Sequence, residues 1–360
     1  MEFWHIFKVI SYFILLLPIS YYCIKSDWKR YLRLKDVNNT KRIRISTIIV
    51  ISFFVGIYSL SYNHTFWWAD VTYYSRLFSS GLPIVEAPSL NFIYFILHKF
   101  TNNIDVLLFT VSFSGCFIAL YAYREYVEAK PQAVFLLFLT TFLVEYCQGA
   151  LKQATAIGLL YLAIVWILDK KDVLAGIVSI IAFFFHESAL IIIPIYLILK
   201  FEKKIKLKLL VMMLMLLVFG VFFKQILVAL SVFTRIGIKI TTYFSENSEL
   251  THDSTGFIVI KGLPLYIITT WGFIKRRKLS EKIIHFNAYL DLSLIGSITY
   301  LLSYHSYWMS RYSVYFYLSD MVLFTQMLDY ESESNQKILY YGMVGMLSLL
   351  LFRWLVQVYL

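Results

Sequence analysis

Charged residues are scarce in this sequence of 360 residues. They make up 15% of the chain, whereas soluble globular proteins carry about 25%. Hydrophobic residues account for 59%, aromatic residues for 19%, and the mean hydropathy is +0.69. Because so few polar side chains are available to face water, the composition excludes a secreted globular enzyme and a disordered protein. It indicates a protein that crosses a membrane several times.

Cysteine residues and linker-like segments are also rare. Cys23, Cys116 and Cys147 all lie in apolar runs, where a free thiol behaves as a small hydrophobe, and this excludes a disulfide scaffold. The sequence contains no Cys-x-x-Cys pair and no acidic cluster with the spacing of metal ligands. We therefore expect no metal and no cofactor. No Pro/Gly/Ser-rich segment divides the chain, which predicts a single membrane domain over 1–360 without a separate soluble domain.

Apolar runs, by contrast, are long and frequent. They are continuous rather than alternating, which is typical of helices, and a helix needs about 20 apolar residues to cross a bilayer. The sequence therefore predicts an all-α fold, a polytopic integral membrane helical bundle with about 10–12 transmembrane segments. The predicted spans lie near 3–24, 45–62, 104–123, 133–147, 154–168, 209–223, 258–274, 286–302, 313–328 and 338–358.

The stretch 173–199 does not fit this pattern. It is too long for one ordinary helix and short for two, and His186-Glu187 interrupts its centre. Lys and Arg concentrate on the cytoplasmic side of membrane proteins. The basic clusters at 25–44, 200–208 and 275–282 fall on one side only if this stretch crosses twice, as a re-entrant or short helical hairpin. Both termini are then expected on the outside.

The opposite, outer face carries few charges and two long loops, 63–103 and 224–257. Ionisable groups near membrane depth are costly and usually functional. For each of them the alternative is a side chain at a span end that simply faces water or headgroups. The outer set comprises Asp70, Arg76, Glu145, Lys152, His186, Glu187, His305, Arg311 and Arg353.

Two short motifs of this face carry candidate proton-transfer and anion-binding groups. In Phe185-His186-Glu187-Ser188-Ala189, His186 is either a proton-transfer group or a hydrogen-bonded fold residue. In Gln148-Gly149-Ala150-Leu151-Lys152-Gln153, donors stand at the start of a helix, where the dipole favours anions. The alternative there is a solvated turn with a snorkelling lysine.

Two further motifs stand nearer the ends of the chain. Asp70 and Tyr73 follow Trp67-Trp68, with Glu86 downstream, and the Asp70 carboxylate suits either deprotonation of a hydroxyl or a helix cap. Arg311 and Tyr315 begin a span after an aromatic-rich segment, and Arg offers a planar fork for phosphate oxygens. The aromatic residues themselves are also typical of any membrane interface.

These pieces, in this order, resemble the EpsG family and the related Wzy-type polysaccharide polymerases over roughly 65–316. The resemblance rests on an outer-loop Asp-x-x-Tyr (Asp70, Tyr73), a downstream glutamate (Glu86), Phe-His-x-Ser-Ala (Phe185 to Ala189) and a late Arg-x-x-x-Tyr (Arg311, Tyr315). The family's Arg-Gln-x-x-Ala corresponds to Lys152-Gln153-Ala154-Thr155-Ala156. Lys152 replaces the arginine, which keeps the charge and loses the bidentate geometry.

The resemblance implies a metal-independent glycosyltransferase of the bacterial plasma membrane with its active site on the extracytoplasmic side. It implies transfer of a growing capsule, exopolysaccharide or O-antigen glycan from a polyprenyl (undecaprenyl) diphosphate carrier to the terminal sugar of another lipid-linked repeat unit. Expected partners are these lipid-linked units, membrane lipids, a chain-length regulator and a flippase, and no nucleic acid. Expected catalytic residues are His186, Asp70 and Arg311; expected substrate-binding residues are Lys152, Gln153, Tyr73, Arg76, Glu86, Arg235, Lys239 and Tyr315.

Three other functions remain open at this point. A flippase or transporter of lipid-linked saccharides generally needs polar groups at the membrane midplane and access from both sides, whereas the polar residues here favour one face. A ligase would move a finished glycan to a different acceptor. A membrane acyltransferase would also use an embedded histidine, although the surroundings of His186 lack its supporting motifs.

Overall fold

A computed structural model describes residues 14, 17–33, 43–60, 69–81, 87–125, 130–140, 142, 147, 150–200, 255–302 and 312–359. The regular secondary structure of these residues is entirely helical, which confirms the all-α prediction. The α-helices are α1 Leu17–Arg33, α2 Ile45–Leu60, α3 Ala69–Ser80, α4 Pro88–His98, α5 Ile104–Glu125, α6 Pro131–Leu139, α7 Leu151–Leu168, α8 Asp172–Phe185, α9 Ile192–Lys200, α10 Thr255–Leu279, α11 Phe286–Leu302, α12 Tyr317–Leu328 and α13 Glu333–Tyr359. Two 3₁₀ turns, Glu187–Ile191 and Val314–Phe316, complete the described structure.

Several helix boundaries differ from the predicted ones. Helix α1 continues to Arg33, past the predicted span end at 24, because a helix can extend beyond the apolar segment into a polar region. The predicted outer loop 63–103 contains α3 and α4, and Pro88 starts α4 at a position where its missing N–H costs nothing. The predicted span 209–223 and most of the predicted loop 224–257 lie outside the described residues.

Within the described part of the chain, α5 is the one helix both long and apolar enough to cross a bilayer on its own. Four further apolar segments are shorter than this. They are Ile45–Leu60, Lys152–Leu168, Asp172–Phe185 and Val314–Leu328.

Helix α2 exposes large apolar side chains and buries most of its small and hydroxyl side chains. The buried face carries the small and hydroxyl side chains Thr47, Ser52, Gly56 and Ser59, together with the aliphatic Ile48, Ile51 and Val55. The exposed face carries large apolar side chains: Ile45, Ile49, Phe53 and Ile57. Small residues at helix contacts and large apolar residues outside are typical of helices that pack within lipid.

The described residues form two compact units. Unit 1 comprises residues 1–192 and 324–360, and unit 2 comprises residues 193–323. In unit 1, α5 lies between α2 and α7, and α7 packs in turn against α8. Helices α3 and α4 both contact α5, and α4 also contacts α8. In unit 2, α10 packs against α11, which contacts the turn Val314–Phe316.

Helices α5 and α7 approach each other through matched small residues. Gly115 and Ala119 on α5 face Ala154 and Gly158 on α7, four residues apart on each helix. A Cβ added at Gly158 would lie 2.9 Å from the backbone N of Ala119, and one added at Gly115 would lie 3.3 Å from the Cβ of Ala154. Since residue numbers increase together across the contact, α5 and α7 run parallel. This is the small-xxx-small packing found between membrane helices.

We expect Gly158→Ala to destabilise the protein by about 1–3 kcal/mol, because the added methyl group meets backbone that cannot move aside. Gly176→Ala on α8 is the matched control, since nothing lies within 4 Å of its added Cβ. Thermal unfolding of both variants in one detergent checks this. Equal midpoints for the two variants would contradict the close packing of α5 on α7.

One end of unit 1 gathers basic residues from separate parts of the sequence. The Arg44 Nε donates to Asp27 Oδ1 at 2.7 Å, and the Arg124 Nε donates to the carbonyl of Ile43 at 3.0 Å. Lys130 is buried, forms an ion pair with Asp329 and donates to the carbonyl of Thr325 at 2.8 Å. The sequence places these basic residues together on one side, and we refer to this end of unit 1 as the basic end.

Candidate functional site

The motif at the start of α7 contacts the motif on α3. Lys152, the second residue of α7, places its Nζ 5.2 Å from the ring centroid of Tyr74. Tyr74 is fully buried, and Asp70 precedes it by one helical turn on α3. Two segments about 80 residues apart in the sequence are thereby joined through a cation–π contact.

The predicted interruption at His186 is confirmed. Helix α8 ends at Phe185, His186 takes an extended backbone conformation (φ −155°, ψ 127°), and the 3₁₀ turn Glu187–Ile191 follows. The chain therefore breaks its helical hydrogen bonding at this histidine. Each adjoining α-helix is also shorter than a full membrane crossing, since 14 residues of α8 rise only about 21 Å.

The imidazole of His186 is fixed by the residue two positions further on. Its Nδ1 accepts the backbone N–H of Ser188 at 3.2 Å and lies 2.6 Å from the Ser188 hydroxyl. Because an N–H donor points at Nδ1, that nitrogen carries no proton in this arrangement. The ring is then a neutral imidazole with its proton on Nε2. His186 thus caps the 3₁₀ turn and holds Nε2 in a defined orientation.

Lys152 and His186 lie at the same end of unit 1. Only three residues separate α7 from α8, and Lys170 among them has a φ of 61°. Because two contacting helices joined by so short a turn must reverse direction, α7 and α8 run antiparallel. Counted from that turn, Lys152 stands about 24 Å along α7 and His186 about 21 Å along α8. Because α7 runs parallel to α5, this end is opposite the basic end marked by Arg124.

Aromatic packing holds α3 and α4 together at the same end. The Tyr94 hydroxyl donates to the carbonyl of Leu77 at 3.2 Å, and the Phe78 ring packs edge-on against Tyr94 with centroids 5.0 Å apart. His98 stacks on Tyr94 at 5.5 Å. These contacts fix the α3 backbone that carries Asp70, Tyr73 and Arg76.

The remaining predicted residues differ in their surroundings. Tyr73 and Arg76 are exposed on α3, and Gln153 is buried on α7. Tyr315 is fully buried in unit 2. Glu86, Arg235, Lys239 and Arg311 lie outside the described residues, and the roles of all these residues stay predictions.

Two contact residues were missed by the sequence reasoning. Tyr74 follows the motif tyrosine Tyr73 and stands one helical turn after Asp70, but no signal in the sequence selects it as the contact of Lys152. Ser188 belongs to the histidine motif, but its hydrogen bonds to Nδ1 depend on the local fold. Both residues position a charged or titratable group.

The end of unit 1 opposite the basic end combines three features among its described residues. They are the Lys152 ammonium group, the helix α3 that carries Asp70, and the oriented imidazole of His186. Lys152 stands in the first turn of α7, where the helix dipole adds positive potential. A neutral imidazole suits proton transfer near neutral pH. These are groups that stabilise a developing anion and move a proton. Among the described residues, no group of three or more His, Cys, Asp or Glu side chains is placed to hold a metal ion.

Comparison with known proteins gives one family. The sequence model of the EpsG family matches residues 43–360, which is most of the chain. A search of curated proteins and a search of solved structures gave no match. The matched region contains both the motifs that meet at one end of unit 1 and the basic end opposite. The chain therefore belongs to the EpsG family, which is related to the Wzy-type polysaccharide polymerases.

Proposed function

We propose that this protein is a membrane polysaccharide polymerase that extends a lipid-linked glycan on the extracytoplasmic face of a bacterial plasma membrane. The family supports polymerisation in polysaccharide biosynthesis. One observation supports an active site on the extracytoplasmic face. Separate polar motifs on α3, α7 and α8 lie at the end of unit 1 opposite the basic end.

The reaction needs a base, an anion-stabilising group and a leaving group. An acceptor sugar hydroxyl attacks the anomeric carbon of the donor glycan, and the bond from that carbon to the polyprenyl diphosphate oxygen breaks. The hydroxyl proton passes to the Asp70 carboxylate, or to the Nδ1 of His186 after that nitrogen releases the Ser188 N–H. The diphosphate leaves with the bonding electron pair, and Lys152 and Arg311 stabilise its negative charge.

The other predicted residues hold the two substrates. Arg235 and Lys239 add positive charge for the diphosphate. Hydroxyl, amide and charged side chains hydrogen-bond the sugars, and this set comprises Tyr73, Arg76, Glu86, Gln153 and Tyr315. The apolar outer surface of helices such as α2 and α8 keeps the chain in the bilayer, where the lipid carriers also lie.

Purified protein supplied with undecaprenyl diphosphate-linked repeat units is expected to form a ladder of longer lipid-linked glycans, with free undecaprenyl diphosphate as the second product. Gel electrophoresis of the glycans and chromatography of the lipid check both products. Transport of intact lipid-linked units between leaflets of a vesicle, without a ladder, would establish the flippase function instead.

A further inference from the structure

Unit 2 contains a chain of buried hydroxyl groups between two helices. The Thr269 Oγ1 on α10 lies 2.8 Å from Ser293 Oγ and 2.7 Å from Ser297 Oγ, both on α11. All three side chains are at least 95% buried. About one turn along each helix, the buried side chains Leu265 and Tyr300 belong to one apolar cluster. The three hydroxyl groups therefore form a buried polar cluster in an apolar interior.

Asp320 on α12 brings a carboxyl group to this cluster. Its exposed fraction is 0%, and Ser293 is its hydroxyl neighbour. Neither carboxyl oxygen has a hydrogen bond of normal geometry within the described part of the chain. A buried carboxylate without a compensating partner is strongly unfavourable, so this group needs a positive charge or a proton.

A glycine sets the register that brings Asp320 to Ser293. A Cβ at Gly296 would lie 2.7 Å from the Cβ of Phe316, so α11 approaches the turn Val314–Phe316 closely only because residue 296 lacks a side chain. Asp320 follows Phe316 by one helical turn and Ser293 precedes Gly296 by about one turn. The close approach therefore aligns the carboxyl with the hydroxyl cluster.

The hydroxyl groups supply too few protons to hydrogen-bond both oxygens of the carboxylate, and they carry no positive charge. Each hydroxyl supplies one proton, and two of the three protons are used in the contacts of Thr269 with Ser293 and Ser297. One proton remains for the two oxygens of Asp320. The lone pairs of the hydroxyl oxygens, together with the carboxylate, form a set of hard oxygen donors, which is the ligand type preferred by hard cations.

We propose that Asp320, Ser293, Thr269 and Ser297 form a binding site for a monovalent cation, Na⁺, within unit 2. One carboxylate and three neutral hydroxyls balance a single positive charge. A divalent ion would leave net charge in an apolar environment, which is costly. Asp291 does not change this balance, because two residues of helix place it about 200° around α11 from Ser293. The proposal is independent of the glycosyl-transfer reaction.

Thermal unfolding of the purified protein in NaCl, KCl and N-methylglucamine chloride at equal ionic strength tests this site. We expect the midpoint to rise by roughly 3 °C or more in saturating NaCl over N-methylglucamine chloride, with a saturable dependence on Na⁺. Binding of radiolabelled Na⁺ should approach one ion per chain. Equal midpoints in all three salts would overturn the proposal and leave a protonated Asp320 as the explanation.

Variants separate this site from a general effect of salt. Asp320→Asn should abolish the Na⁺-dependent rise, and Thr269→Val should weaken Na⁺ binding severalfold. Asp291→Asn is the matched control, since it removes a buried carboxyl from another face of α11 and should keep the rise. An unchanged Na⁺-dependent rise in Asp320→Asn would refute the assignment. If Asp320→Asn does not fold, Thr269→Val and the wild-type salt series decide the question.

Discussion

His186→Asn is expected to fold like the wild type and to lose at least about 100-fold in the rate of glycan ladder formation. The asparagine Oδ1 occupies nearly the position of the imidazole Nδ1, so it can accept the Ser188 N–H and keep the cap of the 3₁₀ turn. The amide cannot take up or release a proton near neutral pH. The variant therefore removes proton transfer and retains the local hydrogen bond.

Two companion variants assign the cause of the loss. His186→Ala removes the cap as well and should cost about 1 kcal/mol of stability in addition to activity. Ser188→Ala keeps the imidazole and removes one neutral hydrogen bond, so its rate should fall by no more than about tenfold. Unfolding midpoints and initial rates measured side by side check all three. Full activity in His186→Asn would show that His186 serves only as a cap.

The sequence was sufficient for the helical class, the break at His186 and the placing of three basic residues of unit 1 on one side. Continuous apolar runs predict helices, and a polar His-Glu pair inside such a run predicts an interruption. The grouping follows from a rule of membrane insertion, and the structure brings Arg44, Arg124 and Lys130 to one end of unit 1. Each of these inferences depends on local composition or on a rule that applies to the whole chain.

Contacts between distant segments were not predictable in this way. Nothing in the sequence near Lys152 selects Tyr74 rather than Tyr73, because the choice depends on the rotation of α3 about its own axis and on its packing against α5. The bounds of the two short helices inside the predicted loop 63–103 were not predictable for a related reason. Helices of this length are marginal in isolation and are stabilised by tertiary packing, here through Tyr94 and Phe78.

The cluster around Asp320 shows the same distinction inside unit 2. The sequence places Asp320 on an inner part of a span, where helix packing is the simpler interpretation. Only the register set by Gly296 brings it beside Ser293. A buried carboxyl is costly in any context, but its significance depends on which side chains share its position, and that is a property of the packed helices.

Lys152→Met is expected to lower the rate of glycan ladder formation by about 100-fold or more, the effect of removing a group that stabilises charge developing in the transition state. Methionine keeps the apolar stem and removes the charge that lies over Tyr74. Lys152→Arg should retain most of the activity, because it keeps the charge, restores the arginine of the family motif and adds bidentate geometry toward phosphate oxygens. Initial rates at saturating lipid-linked substrate measure the difference.

The chain offers a matched control for the loss of a cation–π contact. Lys25 Nζ lies 5.4 Å from the ring centroid of Tyr21 on α1, in the cluster 25–44 that is predicted to be cytoplasmic. Lys25→Met removes a contact of the same kind and should leave the rate unchanged. Tyr74→Leu removes the ring under Lys152 and should cost no more than about 30-fold, since such contacts contribute about 0.5–2 kcal/mol. Equal rates for Lys152→Met and Lys25→Met would mean that Lys152 only supports packing, and the diphosphate charge would then have to be stabilised by other cations such as Arg311.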